Sequence, residues 1–348
     1  MNSDFPLSKV VLLPPDQYIY IGWGIMAVLT LLAVLVLLRL QFRRARREQS
    51  SQALRPRRTR KHSSLWLAVM LPLLCLWVVF IYGVYVGFYQ FEVRRVELTF
   101  DDLPPSFDGY KIVLWSDAHV GTLTGSRKDI LKRAVDSINA QQADIVVFAG
   151  DLQNSCTSEI TPHRKVLSSI KARNGVFSVL GNHDYPIYNS AADDFERIAD
   201  FGRRCSTDEE LGWQLLMNSH RTIRRGDDRL VIAGMENDGK GRFPKLGNIQ
   251  QALSGVRRSD FVVMIEHDPS AWRRKILPHC HAQLTLSGHT HAMQFALFGW
   301  TPAIFMNKEA SGLYKIGERA IYVSKGLSGV IPFRFGTPGE IVVITLRK

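Results

Sequence analysis

Cysteine is scarce in this chain, with four residues in 348, and the scarcity excludes a cystine-held fold. Cys75 falls in an apolar run. Cys156, Cys205 and Cys280 are too widely spaced for a zinc ribbon, and an odd trio closes at most one disulfide. No internal repeat is present, which excludes a repeat architecture. Charge is missing from residues 18 to 38 and again from 63 to 91. As a helix, the first of these runs is about 31 Å long, enough to cross a bilayer core. A buried core helix of that length needs a polar face, and neither run has one. The first also lacks the basic leader, short apolar core and small-residue cleavage site of a secretory signal. Two transmembrane helices are therefore expected, at about 18–38 and 64–89, with Pro72 tolerated near the start of the second. Gly83 and Gly87 give the second run a G-x-x-x-G spacing, a candidate packing face that also arises often by chance.

Acid is nearly absent between these runs. Residues 39 to 63 hold ten basic side chains (Arg39, Arg43, Arg44, Arg46, Arg47, Arg55, Arg57, Arg58, Arg60, Lys61) against Glu48 alone. A nucleic-acid arm has a similar composition, but a short basic loop between two spans is what the positive-inside rule describes. The loop is expected to be cytoplasmic, leaving the N-terminus and everything after the second span on the outer side. Arg94 and Arg95 pull weakly the other way. Residues 1 to 95 contain 13 Lys/Arg and 4 Asp/Glu; taken from totals of 44 and 32, this leaves 31 and 28, a net +3 for the remainder. The high pI belongs to the membrane loop, where it can meet anionic lipid. No nucleic-acid partner is expected. The chain divides into a membrane anchor, 1–95, and a domain of ordinary single-domain size, 96–348.

Within that domain, five apolar runs of β type each lead into hard oxygen or imidazole ligands. Tyr110–Ser116 leads into Asp117 and His119, Asp144–Ala149 into Asp151, and Val176–Leu180 into Asn182, His183 and Asp184. Phe261–Glu266 leads into His267 and Asp268, and Ala282–Ser287 into His289 and His291. Short apolar runs bounded by glycine and polar turns read as interior strands, and α/β sheets collect ligand-binding groups at the carboxyl ends of their strands. One run ending in Asp means little, but five converging on Asp, His and Asn mark a site. The five histidines outside these segments (His62, His163, His220, His279, His281) read as structural. Strands are also expected at Phe91–Phe100, Leu230–Met235, Ala320–Ser324 and Glu340–Leu346. Helices are expected after a Ser126/Asp129 capping box (Ile130, Leu131, Ala134, Val135 and Ile138 facing the sheet), at His163–Ala172, and at Asp193–Arg203 with Phe195, Ile198 and Phe201 inward.

The order D-x-H, G-D, G-N-H-D, H, G-H-x-H resembles the calcineurin-like metallophosphoesterase superfamily, over about residues 110 to 346, with every ligand position filled. The resemblance implies an α/β fold, a two-sheet β-sandwich flanked by helices, here preceded by two transmembrane helices. It implies that Asp117, His119 and His291 hold one divalent metal, that Asn182, His267 and His289 hold a second, and that Asp151 bridges them. A bridging carboxylate can hold two divalent ions roughly 3.5–4 Å apart, a spacing suited to activating a water and clamping a phosphoryl oxygen. The ligand set suits Mn, Fe, Zn or Co, with Mn the expected metal in use. By the same resemblance His183 faces the substrate, donating to the phosphate or protonating the leaving oxygen, and Asp184 orients its ring.

The motifs imply phosphoester hydrolysis without choosing the ester. The likeness is to membrane-anchored or exported bacterial members, which implies a multi-pass protein of the inner (cytoplasmic) membrane with an extracytoplasmic catalytic domain. Some of those relatives cleave UDP-diacylglucosamine in lipid A synthesis; a cyclic-nucleotide or nucleic-acid phosphodiesterase is a further alternative. A non-catalytic scaffold is disfavoured because no ligand is lost. Related sequences commonly carry Gly-Gly-Gln after the G-H-x-H, whereas this chain has Ala292-Met293-Gln294, so their substrates do not transfer directly. The apolar segment Phe295–Trp300, followed by Ala303–Met306, reads either as core or as an apolar rim for a membrane or acyl chain. With the anchor, it favours a lipid-like, amphiphilic phosphoester. Arg334, in an apolar-flanked PFRF, is a candidate phosphate clamp.

Overall fold

The computed structural model describes residues 10–50, 61–190 and 192–348. Helix α1 (Pro15–Ser50) contains the first uncharged run, and helix α2 (Lys61–Tyr85) takes the second only as far as Tyr85, short of the expected 89, where Gly87–Tyr89 forms a 3-10 turn. Each has a stretch long and apolar enough to cross a membrane, and each leaves most of it exposed. Residues 39–50, expected as loop, instead continue α1. Arg, Gln and Ala are good helix formers, and no glycine or proline interrupts them there. Arg55, Arg57, Arg58 and Arg60 lie outside the described residues. The two helices pack through Trp77, whose indole donates to Thr30 Oγ1 (3.0 Å), and through the Trp23, Trp77 and Phe80 rings. The Gly83/Gly87 face is not turned to α1. A Cβ on Gly83 would strike the Phe333 ring, and one on Gly87 the carbonyl of Arg334. The small residues let the end of α2 lie against the folded domain.

That domain is built on two six-stranded sheets. The first runs β1 (Phe91–Thr99), β12 (Gly339–Arg347), β2 (Lys111–Trp115), β3 (Ile145–Phe148), β4 (Val176–Ser178), β5 (Gln214–Leu215). The second runs β10 (Gly312–Ile316), β11 (Arg319–Val323), β9 (Leu284–Ser287), β8 (Phe261–Ile265), β7 (Asp228–Gly234), β6 (Ser219–Arg225). Strands β2 to β5 pair in parallel in the first sheet, as do β7, β8, β9 and β11 in the second. Alternation along the strands makes three apolar layers. Ile112, Leu114, Ile145, Val147, Val263 and Leu286 share the core that holds residues of both sheets. Val113, Trp115, Val146 and Phe148 pack with Ile130, Leu131, Val135 and Ile138 of helix α3 (Lys128–Ala140). Val262, Met264 and Ile321 pack with Trp272 and Ile276. This is the expected α/β sandwich flanked by helices.

Three helical expectations need correction. No capping box opens α3: Ser126 sits in a preceding 3-10 turn with its hydroxyl on Tyr89 Oη (3.0 Å), and Asp129 pairs with Arg133. The helix expected over His163–Ala172 is a 3-10 run, Thr157–His163, followed by one turn, α4 (Arg164–Leu167). There the Ser168 and Ser169 hydroxyls take up carbonyls that a longer helix would use. Helix α5 (Asp194–Glu210) outruns its expected end, and its inward face is charged. Arg197, Asp200, Arg204 and Asp208 are buried, while Phe195 is 82% exposed and Ile198 is exposed too. All four cysteines are free.

Candidate metal centre

The carboxyl ends of β2, β3 and β4 deliver Asp117, Asp151 and Asn182 from one sheet; those of β8 and β9 deliver His267 and His289 from the other. Asp117, His119, Asp151, His289 and His291 all have positive φ, between 42° and 75°. Non-glycine residues rarely adopt this conformation, and it persists where surrounding structure over-determines it. Main-chain bonds supply that constraint: Asp117 N–H donates to Gly150 O (2.9 Å), and His119 N–H to Asp151 O (3.2 Å). Gly150 and Gly181 permit the closest approach. A Cβ on Gly150 would lie 2.7 Å from His267 Nδ1, and one on Gly181 2.2 Å from Asp151 Oδ1.

Two groups of ligand atoms form. Asp117, His119, Asp151 and His291 make one and Asp151, His267 and His289 the other, with the atoms of each group within 4.8 Å of one another. Asp151 belongs to both, its Oδ2 3.6 Å from His119 Nε2 and 3.3 Å from His267 Nε2. Asn182 Oδ1 joins the second group, 3.2 Å from His267 Nε2 and 2.7 Å from His289 Nδ1. Its amide nitrogen donates to Tyr188 Oη (2.8 Å), which turns the oxygen inward.

These atoms are lone-pair donors facing one another. His267 Nδ1 rests on Ala149 O (2.7 Å) and His291 Nδ1 on Ser328 O (3.1 Å), so each ring's proton lies on the outer nitrogen. The inner Nε2 atoms then point at carboxylates, His267 toward Asp151 and His291 toward Asp117 Oδ1 (3.3 Å). Only positive charge between them makes this arrangement favourable. The titration behaviour agrees. Burial pushes Asp117 up to about 7. Burial alone would raise Asp151 as well, but His267 and His183 outweigh it and hold that carboxyl well below the usual range. Burial lowers His119 to about 3 and His291 and His289 below their ordinary value, so these imidazoles are neutral. For His267 the Asp151 charge overcomes burial and raises it to about 10, so that without a cation a second proton, on Nε2, supplies the positive charge facing Asp151. Neutral imidazole and carboxylate around a charge-deficient centre fit divalent metal ions.

His183 lies beside both groups but belongs to neither. Its main-chain N–H donates to Asp151 Oδ1 (2.8 Å), its Nδ1 meets Asn154 O (2.7 Å), and its ring stacks on Tyr188 at 3.8 Å. Asp184 does not orient that ring, contrary to expectation. Its Oδ2 accepts from the amides of Asp151 (2.8 Å) and Gly181 (2.9 Å), and its Oδ1 from Leu152 N–H (3.1 Å) and Arg204 Nε (2.8 Å). It braces the two loops that carry Asp151 and Asn182. Arg204 in turn pairs with Asp208 (3.0 Å), all three side chains being fully buried. Arg204 and Asp208 on the charged inward face of α5 complete this brace.

Arg334 also departs from expectation. It is fully buried, and its guanidinium donates to the carbonyls of Thr337, Lys325, Gly326 and Ser328. It holds the loop whose Ser328 carbonyl orients His291, and it is not placed to clamp a substrate. Asn154, Tyr188, Arg204, Asp208 and Ser328 are the site residues that sequence reasoning missed. No residue pattern in the sequence signalled them, and the apolar periodicity of α5 pointed the wrong way.

A family model described as calcineurin-like phosphoesterase matches residues 110–293. The chain belongs to that family. It is 31% identical to a transmembrane protein with metallophosphoesterase domain from Danio rerio, over 78% of this chain and 61% of that protein. A protein of the same description from Bos taurus is 30% identical, over 73% of this chain and 57% of its own length. The chain thus spans about three fifths of these two relatives. The uncharacterized metallophosphoesterase YkuE of Bacillus subtilis (strain 168) is 28% identical over 77% of this chain and 89% of its own. Family relatives named as transmembrane proteins agree with the two apolar helices. Both relatives so named are vertebrate.

His291 and the Ala292-Met293-Gln294 that follows it all have φ near +50°. The backbone there makes a left-handed turn, which glycine adopts without strain and alanine or methionine does not.

Proposed function

We propose that this chain is a membrane-anchored, two-metal phosphohydrolase acting on an amphiphilic phosphoester. Residues 1–95 serve as the anchor and 96–348 as the catalytic domain. Asp117, His119 and His291 would hold one divalent ion, and Asn182, His267 and His289 the other, with Asp151 shared. The observation that carries this reading is Asp151 Oδ2, which faces His119 from one ligand group and His267 from the other. When bound, two divalent ions supply Lewis-acid activation of water and charge neutralisation at phosphorus; Mn is our choice among Mn, Fe, Zn and Co.

The chain's own residues supply the rest. His183, with Nδ1 anchored on Asn154 O, keeps Nε2 for the substrate side. Protonated, it donates from Nε2 to a phosphoryl or leaving oxygen. Stacking on Tyr188 fixes its plane. Backbone amides of Asp151 and Gly181, tied to Asp184, hold the central loops against the pull of the ligand charges.

The start of α1 and the end of α2 both touch the catalytic domain: Asp16 pairs with Arg127 (2.9 Å), and Gly83 O accepts from Arg334 N–H (3.0 Å). Both helix ends therefore share one membrane side. With the basic segment cytoplasmic, that side is the outer face of a bacterial inner membrane. The test is a metal-reconstituted panel on the detergent-solubilised full chain, with lipid, nucleotide-sugar-lipid, cyclic-nucleotide and nucleic-acid phosphoesters. We expect metal-dependent turnover, highest on a lipid phosphoester. Turnover confined to nucleotides would overturn the substrate class, and no turnover with full metal occupancy would overturn the reading itself.

A further inference from the structure

Directly after His291, the chain projects an apolar hairpin. Leu297 and Trp300 exchange both main-chain hydrogen bonds (2.9 and 3.0 Å), leaving Phe298 and Gly299 as a two-residue turn with φ of 51° and 82°. The first position of such a turn favours Asn, Asp or Gly. Here it holds phenylalanine in a left-handed conformation with its side chain wholly exposed. Phe305 (79%) and Met306 (65%) are exposed too, as are Met293, Leu297, Trp300, Ile304 and Ile331. Neither folding nor solubility accounts for a strained, fully exposed aromatic at a hairpin tip. A contiguous apolar rim of this kind marks an interaction surface.

Continuity with α2 says what covers it. Phe335 stacks on Phe295 and meets the Tyr82 ring (each 5.7 Å), Ala296 N–H donates to Phe335 O (2.8 Å), and Arg334 N–H donates to Gly83 O. The hairpin is thus tied to the last turn of the second apolar helix, through a segment only a few residues long. Tyr82, Tyr85 and Trp300 supply the amphipathic rings typical of a membrane–water boundary, and exposed Lys308 follows Met306 where a cation can reach headgroups.

We propose that the Phe298 hairpin and the Phe305–Met306 turn insert into the same bilayer that α2 crosses, seating the metal centre at the lipid headgroup level. This rests on the membrane reading of α2. It names the substrate class of the site as phosphoesters still embedded in a lipid leaflet. His291 and Phe298 are seven residues apart in one continuous turn and hairpin, so an inserted tip brings headgroup phosphorus to the ligands.

The test uses the full chain in phosphatidylcholine vesicles, with single cysteines carrying an environment-sensitive fluorophore. One variant keeps native Cys75 of α2 alone, with the other three cysteines changed to Ser. Two more carry Phe298→Cys or Lys132→Cys with all four native cysteines replaced. Lipid-borne nitroxide should quench the labels at 75 and 298 and spare 132, and aqueous iodide should do the reverse. Quenching at 75 with an iodide-accessible label at 298 overturns the hairpin proposal while leaving the spans intact. No lipid quenching at 75 overturns the membrane reading and this proposal with it. A second arm uses Phe298→Ser. Turnover of bis-nitrophenyl phosphate should stay within about twofold. Turnover of a vesicle-embedded phosphoester should fall at least about tenfold, the factor equivalent to losing one apolar side chain's burial. Equal effects on both substrates overturn the proposal.

Discussion

Replacing Asp184 with Asn separates two roles that its motif position cannot. The side chain is fully buried and accepts four hydrogen bonds, two at each oxygen: Asp151 and Gly181 amides at Oδ2, Leu152 amide and Arg204 Nε at Oδ1. An asparagine must present its NH2 to one of these pairs, so two buried donors face a donor. It also removes the closer of the two carboxylates paired with buried Arg204, leaving Asp208. Stripping one partner from a buried, charged network costs about 3–5 kcal/mol. For a domain of this size, that lowers the melting temperature by roughly 6–20 °C. Thermal unfolding followed by circular dichroism, with metal analysis on the same sample, measures both consequences. We expect a lower melting temperature and reduced metal retention, because Asp151 and Gly181 lose their brace. A variant that melts within about 1 °C of the parent, keeps its metal and loses only turnover would refute this reasoning and restore Asp184 as the partner of His183.

Asp151→Asn should abolish activity and leave at most about one ion per chain by elemental analysis, since the shared carboxylate carries the charge for both sites; full occupancy with retained turnover would contradict the bridging role. His183→Ala should keep its metal while the rate falls roughly 10²–10⁴-fold, less for substrates with a nitrophenol leaving group; metal loss instead would make His183 a ligand. Met293→Gly should raise the melting temperature by about 1–3 °C, because relief of about 1–2 kcal/mol of left-handed strain exceeds the added chain entropy; a lower melting temperature would mean that the Met293 side chain packs where it is half exposed. Alkaline phosphatase fused after Lys348 should be active in a bacterial host and inactive when fused after Arg58; the reverse pattern would put the site in the cytoplasm.

The clustering of the proposed ligands was legible because each residue ends an apolar run, and a strand's carboxyl end is where an α/β sheet leaves space. Asp117, Asp151, Asn182, His267 and His289 all sit within a few residues of a strand terminus. The supporting residues were not legible, because their work is done by atoms that carry no residue signature. The Asn154 and Ser328 carbonyls orient His183 and His291, and any residue has a carbonyl. Helix α5 misled in its facing for a related reason. Periodicity reads apolar residues as inward, yet Phe195 and Ile198 point out so that Arg204, paired with Asp208, can reach Asp184. A partnered buried charge outweighs the apolar pattern when the partner holds a strained loop. The extension of α1 through Arg39–Ser50 was missed because charge was read as loop, although Arg-rich stretches without glycine propagate helices well.

Arg334 shows how the end of α2 and the candidate centre are mechanically one object. Its main-chain N–H binds Gly83 O at the end of α2, while its guanidinium gathers the carbonyls of Lys325, Gly326 and Ser328. Ser328 O in turn receives His291 Nδ1, and Ser328 N–H donates to Asp117 O (3.0 Å). Two candidate ligand positions, His291 and Asp117, are therefore three hydrogen bonds from the second apolar helix. Burial lowers the Arg334 guanidinium to about 10, still protonated at neutral pH, so the charge persists beside Asp117. A lysine would carry that charge but could not fork among several carbonyls in a plane. The requirement at this position is the geometry of the guanidinium, which is why a residue that looked like a phosphate clamp serves as the joint between the second apolar helix and the candidate metal centre.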